Sequence, residues 1–304
     1  MERFFAKICN KNKILCFFEV GRPWNGILLG LLVIFGMIIT KFPIEITTGV
    51  LGFLAFLILY MGGSTLNDIY DFKVDKINMP YRPLQRGSLT IKNAKSIAIF
   101  FYVIGLILAI NISLNFFWIA ITFTIISLLY SVPPINLVRR SYIGSVSLSI
   151  VTIFLPCLGG SIIVLKGILP SFTAIISFIL YTIFFLFVIL TKDFKDIKGD
   201  EKEGKKTVVL RLGKKNTVKV IIFGITLFYI LLTFFLNLFM ITMFFTIFSF
   251  IILLFILKQI VRLSTVSDEK EAKKCFTNFR IILFVYVLMS IFIIIIENVV
   301  IRSL

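Results

Sequence analysis

PSFTAIISFILYTIFFLFVILTK, residues 170–192, decides the fold class. No charged side chain interrupts it from Pro170 to Thr191. A helix needs about 20 predominantly apolar residues to cross the hydrocarbon layer of a bilayer. This run supplies them and ends at Lys192. Working outward, runs of the same kind occupy 24–41, 46–69, 94–113, 115–131, 143–165, 217–236, 239–261 and 279–299. The sequence therefore predicts nine membrane-spanning helices. The other structure able to span a membrane, a β-barrel, needs short alternating segments that are not seen here. Composition agrees. The chain of 304 residues is 59% hydrophobic with a mean hydropathy of +1.04, against about 45–50% apolar in soluble domains. No stretch between the runs is long enough for a soluble domain, so residues 1–304 are expected to form a single all-α membrane domain.

Charge gives the orientation. The formal net charge is +17, but the basic residues fall between the apolar runs, which argues against a nucleic-acid partner. With nine spans, all but Lys41, Lys166 and Arg302 of the 32 basic residues fall on one side. By the positive-inside rule that side, which includes the N-terminus, is cytoplasmic and the C-terminus lies outside. The first apolar run follows Arg22-Pro23 and continues far past a signal-peptide core, so it reads as a retained first helix. Cys9, Cys16, Cys157 and Cys275 show no metal-binding spacing and read as apolar packing residues. The chain has no histidine. That excludes a histidine base, a histidine metal ligand and a histidine-ligated haem.

Acidic residues are few, 15 in all, yet two short segments concentrate them. One is Asn67-Asp68-Ile69-Tyr70-Asp71-Phe72-Lys73-Val74-Asp75. The other is Lys192-Asp193-Phe194-Lys195-Asp196-Ile197-Lys198-Gly199-Asp200. On a helix Asn67, Asp71 and Asp75 share one face, with Asp68 beside it, and Asp193, Asp196 and Asp200 form a similar stripe. Gly199 is expected to end the second helix. Carboxylates stacked in this way repel one another, and a bound cation offsets the repulsion. Hard divalent ions take oxygen ligands, and Mg²⁺ binds through one or two carboxylates plus phosphates and water. Both segments lie at the C-terminal ends of spans, where the helix dipole favours cations. Asp68, Asp71, Asp75, Asp193, Asp196 and Asp200 are therefore the candidate metal ligands.

Basic and polar residues surround them. In Asn78-Met79-Pro80-Tyr81-Arg82-Pro83-Leu84-Gln85-Arg86-Gly87 the prolines end the helix and stiffen a loop. That loop is expected to aim Arg82, and with it Arg86, back at the carboxylates. An arginine fork suits phosphate oxygens. Lys192, beside Asp193, is a second phosphate contact. Most of Glu201–Thr207 reads as solvated loop. Arg22 and Asn25 open the first span on the same side, and Tyr130-Ser131-Val132-Pro133-Pro134 with Arg139-Arg140 closes the fourth. Elsewhere the spans are nearly uniform Ile, Leu, Phe and Val, a setting for a greasy chain.

These residues together resemble the UbiA-type membrane prenyltransferases over essentially the whole chain. The motif NDxxDxxxD is present as Asn67, Asp68, Asp71 and Asp75, and PxRPL as Pro80, Arg82, Pro83 and Leu84. KDxxDxxGDxxxGxxT is matched by Lys192, Asp193, Asp196, Gly199, Asp200, Gly204 and Thr207. The YSxPP segment and the Arg22-Pro23 pair match as well. The resemblance implies nine helices around a central cavity and an Mg²⁺-bound prenyl diphosphate. Asp68, Asp71, Asp193 and Asp196 would be catalytic. Asn67, Arg82, Lys192, Arg22 and Arg139 would contact diphosphate, and Asn25 and Tyr130 substrate. One departure is Val208-Val209 after Thr207, where Leu-Pro is frequent.

Within the family, Asp75-Lys76-Ile77-Asn78, Pro80 and Arg82-Pro83-Leu84 look most like geranylgeranylglyceryl phosphate geranylgeranyltransferases of ether-lipid synthesis. Chlorophyll synthases share the wording of Asn78–Pro83, and Thr207–Gly213 is similar to homogentisate prenyltransferases, so aromatic acceptors are the alternative. The implied partners are a prenyl diphosphate, a lipid acceptor and membrane lipids, with no obligate protein partner. A transporter is the rival class, but transporters place ionisable groups near the bilayer midplane, whereas these lie at one membrane face.

Overall fold

A computed structural model of the chain describes residues 13–40, 45–166, 168–237 and 243–265, with scattered positions between 271 and 288. The described residues are mainly helical and contain no strand; one isolated bridge joins Arg140 to Lys206. In chain order the helices are α1 (Lys13–Gly21), α2 (Pro23–Thr40), α3 (Ile46–Tyr70), α4 (Phe72–Asn78), α5 (Ile91–Ile112) and α6 (Leu114–Ser131). There follow α7 (Ser141–Ser149), α8 (Leu155–Val164), α9 (Phe172–Ile189), α10 (Ile197–Lys202), α11 (Val208–Asn237) and α12 (Met243–Thr265).

Six described helical stretches are long and apolar enough to cross a membrane: Pro23–Thr40, Ile46–Tyr70, Ile91–Ile112, Leu114–Ser131, Ser141–Val164 and Phe172–Lys195. They coincide with the first six expected spans to within a few residues. α11 contains the seventh expected stretch and α12 most of the eighth; residues 239–242 of the eighth and most of 279–299 lie outside the described residues. The stretch that decides the fold begins where Ser171 accepts a hydrogen bond from the Ala174 amide at 3.3 Å, a capping contact that satisfies one free donor of the first turn.

The fifth span is not one regular helix. α7 and α8 are joined by a π-turn at Ile150–Phe154, just ahead of Pro156. Proline has no N–H to give the carbonyl four residues back, and the wider turn accommodates that gap without breaking the rod.

Packing uses small residues where helices must touch. A Cβ on Gly36 would collide with the Cys157 carbonyl, and one on Gly160 with the Val33 carbonyl. Glycine at both places lets the backbones of α2 and α8 approach closely, the usual device where apolar lipid supplies no squeeze between helices. One buried cluster fills the space between α2, α9, α11 and α12 around Phe178, Ile221, Ile225 and Ile260. A second joins α2, α3, α5 and α6 around Phe56, Leu59 and Phe116. Outward faces remain apolar, with Ile99, Phe100, Trp118, Phe223 and Phe234 exposed. Such a belt is costly in water and favourable against lipid tails.

Candidate active site

The first aspartate segment runs through the end of α3 into α4. Asp71 sits at the junction with φ −91° and ψ 14°, yet the four-residue ladder continues across it. The Asp71 amide bonds the Asn67 carbonyl at 2.8 Å and the Asp75 amide bonds the Asp71 carbonyl at 2.8 Å. The expected face of Asn67, Asp71 and Asp75 is therefore present. Asn67 donates to Asp71 Oδ2 at 3.2 Å. The loop after α4 brings Arg82 back, as its prolines suggested, to Asp68 Oδ1 at 3.1 Å and to Asp75 Oδ2. Arg22, between α1 and α2, pairs with Asp68. Its backbone has φ 51°, a conformation that L residues hold at a cost and that recurs at functional sites.

The second segment differs from the expected helical stripe. Leu190–Lys195 tightens into a 3-10 turn, Asp196 breaks it with φ −111°, and α10 then runs through Gly199 to Lys202. Gly199 does not end the helix. Its missing side chain leaves room for the Asn78 carboxamide, which any Cβ there would overlap. Asn78 donates to the Asp196 carbonyl at 3.1 Å and accepts from the Gly199 amide at 3.1 Å. The two segments are thereby tied together.

Lys205 completes the junction. It lies in the stretch expected to be solvated loop, but it is buried. Its Nζ stands 2.9 Å from Asp71 Oδ2 and 3.6 Å from Asp200 Oδ1. A lysine in a basic loop looks like an anchor, and only the fold of α10 against α4 turns this one inward. Arg86 was expected at the carboxylates and is elsewhere: it forms a two-pronged pair with buried Glu19 of α1, at 3.0 and 2.8 Å. Glu19, on the same face of α1 as Cys16, intercepts it.

Burial sets the electrostatics. It pushes the Asp75 carboxyl above the usual range although Arg82 and Arg22 oppose the rise. It pushes Asp200 up to about 7, with Lys205 opposing. Burial also works against the Lys205 cation, but Asp71 and Asp200 outweigh it and hold the amine above its ordinary value. Dry carboxylates of this kind gain from any added cation.

Other expected residues are placed as follows. Lys192 donates to the Tyr130 hydroxyl at 2.8 Å and stands 5.6 Å from the centre of its ring. Asn25 donates to the Tyr60 hydroxyl at 3.0 Å. Asp193 is buried, and Asp196 pairs with Lys195 at 3.1 Å. Arg139 makes no hydrogen bond or ion pair with either aspartate segment; it lines a separate cleft with Arg140, Lys206 and Arg211.

Among the described residues no three carboxylates converge on a point that would enclose a metal. Protein cations occupy Asp68, Asp71, Asp75, Asp196 and Asp200 instead. The donor set still suits Mg²⁺. It is all oxygen, and Mg²⁺ needs only one or two carboxylates when phosphate and water complete its shell. Asp68 with Asp71, and Asp193 with Asp196, each offer such a pair.

The chain is similar to known proteins over most of its length. The description of the UbiA prenyltransferase family matches residues 29–288. The digeranylgeranylglyceryl phosphate synthase of Thermococcus gammatolerans is 32% identical over 214 residues, covering 69% of this chain and 74% of that one. The enzyme of the same name from Thermococcus kodakarensis is 32% identical over 205 residues, covering 67% and 71%. A solved structure from work on digeranylgeranylglyceryl phosphate synthase in membranes superposes with a TM-score of 0.67 at 25% identity, over 93% of this chain and 99% of that one. The UbiA homolog from Archaeoglobus fulgidus bound to GPP and Mg²⁺ superposes with a TM-score of 0.69 at 20% identity, covering 92% and 99%, and supports the fold.

Proposed function

The chain belongs to the UbiA prenyltransferase family, and on that premise we propose that it transfers a geranylgeranyl group from its diphosphate to geranylgeranylglyceryl phosphate in ether-lipid synthesis. The observation that carries this reading is the Lys205 bridge, 2.9 Å from Asp71 and 3.6 Å from Asp200. It gathers two distant aspartate segments into one dry, charged site at the ends of two spans. The names of the relatives supply the acceptor, and aromatic acceptors are the second reading.

In this mechanism Asp68, Asp71, Asp193 and Asp196, with Asp75 and Asp200, would hold Mg²⁺. The metal, when bound, neutralises diphosphate and improves it as a leaving group. Arg82, Lys192, Arg22 and Asn67 bind and orient the diphosphate oxygens through charge-assisted hydrogen bonds. Asn25 and Tyr130 border the substrate. The allylic C1–O bond breaks and releases diphosphate, a new bond forms from C1 to the acceptor oxygen, and the acceptor proton passes to the departing diphosphate or to a carboxylate of the site. Apolar side chains of the spans exclude water, which would otherwise capture the allylic cation.

The proposal includes the topology: a single domain of nine spans around a central cavity in the cell membrane, N-terminus and active site cytoplasmic, C-terminus outside. The one-sided distribution of Lys and Arg supports it. Purified protein with Mg²⁺, geranylgeranyl diphosphate and a panel of lipid and aromatic acceptors tests the reaction. Diphosphate release with a product mass equal to the lipid-phosphate adduct supports it; turnover of aromatic acceptors alone would overturn the acceptor, and no turnover at all the reaction.

A further inference from the structure

Beside the aspartate site lies a second cleft, of about 400 Å³, lined by Arg139, Arg140, Ser141, Tyr142, Ile143, Gly204, Lys206 and Arg211. It contains four cationic side chains and no acidic one. Two donors in it are buried without a partner, Arg139 Nε and Ser141 Oγ, and Ser141 is 8% exposed. A buried donor left unpaired is costly, so these two point to a ligand rather than to a solvated basic surface. Ser141 also starts α7, whose amide end favours an anion.

The surroundings identify the anion. Arg139 to Ile143 of its lining stand at the start of the fifth candidate span, Ser141–Val164, after the fourth has ended at Ser131, and the ends of spans meet the head-group layer of a bilayer. Tyr142 and Ile143, which also line it, are exposed, so the cleft carries apolar surface alongside its cations. Its far wall is the segment around the Arg140–Lys206 bridge. In extended backbone, successive side chains point opposite ways: Lys205 faces the carboxylates and Lys206 lines the cleft. Because Lys205 at the carboxylates and Lys206 in the cleft are adjacent residues, an anion held here lies next to the aspartate site.

We propose that this cleft binds the phosphate monoester of the lipid acceptor and so positions its hydroxyl toward the allylic carbon. This rests on the transfer reaction proposed above and reassigns Arg139 from diphosphate to acceptor. The amphipathic lining fits a phosphorylated lipid better than free phosphate, and four cations together with the buried Ser141 hydroxyl fit a dianionic monoester better than the single charge of a membrane diester.

The test compares Arg140→Ala and Arg211→Ala with wild type, using geranylgeranylglyceryl phosphate and its dephosphorylated counterpart as acceptors. Both side chains are exposed, and thermal unfolding checks that the variants fold. The expected result is a loss of preference for the phosphorylated acceptor by roughly tenfold or more in each variant, with the KM for prenyl diphosphate unchanged and partial recovery in Arg211→Lys. Inorganic phosphate should compete weakly with the phosphorylated acceptor in wild type and less in the variants. An unchanged preference overturns the cleft alone, as does competition by phosphatidylglycerol vesicles that the variants abolish while preference stays. Failure of wild type to use either acceptor overturns the transfer reaction and the cleft with it.

Discussion

Asn78 accepts a hydrogen bond from the Gly199 amide at 3.1 Å and donates one to the Asp196 carbonyl at 3.1 Å. A single side chain thus sets the spacing between the two aspartate segments. Asn78→Ala removes both bonds and leaves the buried Gly199 amide unpaired, at a cost of about 1–3 kcal/mol, while the Asp196 carbonyl keeps its bond from the Asp200 amide at 3.0 Å. Turnover should fall roughly tenfold or more, because the two halves of the site lose their register. Gly199→Ala should do the same from the other side, since its methyl group meets the Asn78 carboxamide. Thermal unfolding and steady-state rates on both variants check this, and a full rate in either would show that the tie is dispensable.

Lys205→Met leaves Asp71 and Asp200 buried without their shared cation. Breaking a buried pair from one side costs about 3–5 kcal/mol, so the substrate-free protein should unfold earlier. A ligand that binds only the folded state restores stability in proportion to its saturation. Mg²⁺ with a non-hydrolysable prenyl diphosphate should therefore recover more stability in the variant than in wild type. Equal recovery in both would mean that Lys205 and the bound cation do not share the same carboxylates.

Arg86 serves as the contrast. It lies in the same proline-bounded loop as Arg82 but pairs with Glu19. Arg86→Ala should lower stability by about 3 kcal/mol, as a buried carboxylate loses its partner, while kcat per folded molecule stays at the wild-type value. Arg82→Ala should instead reduce kcat by about a hundredfold or more through lost stabilisation of the leaving diphosphate. The pair of rates separates a structural arginine from a site arginine.

The spans and the first aspartate segment were legible in the sequence because their signals are local. Length and apolarity fix a span such as 172–189, and a four-residue period fixes the face of Asn67, Asp71 and Asp75. The missing parts depend on contacts between distant residues. Lys205 reads as one of several loop cations until α10 folds against α4. Gly199 carries the composition of a helix end, yet it lies inside α10 and its missing side chain leaves room for the distant Asn78 carboxamide. Arg86 has the same local setting as Arg82, and only the position of Glu19 on α1 sends it away. Arg139 has a motif-like position, yet the turn before α7 gives it to the neighbouring cleft.

The central claim is that two aspartate segments form one Mg²⁺-dependent diphosphate site. Binding of a non-hydrolysable geranylgeranyl diphosphate analogue tests it most directly, measured with Mg²⁺ and with chelator on wild type, Asp71→Asn and Asp193→Asn. The account predicts tight binding by wild type only with Mg²⁺, and a loss of about tenfold or more in each variant, both still folded. Equal affinity with chelator, or a loss confined to one of the two variants, would contradict a shared site.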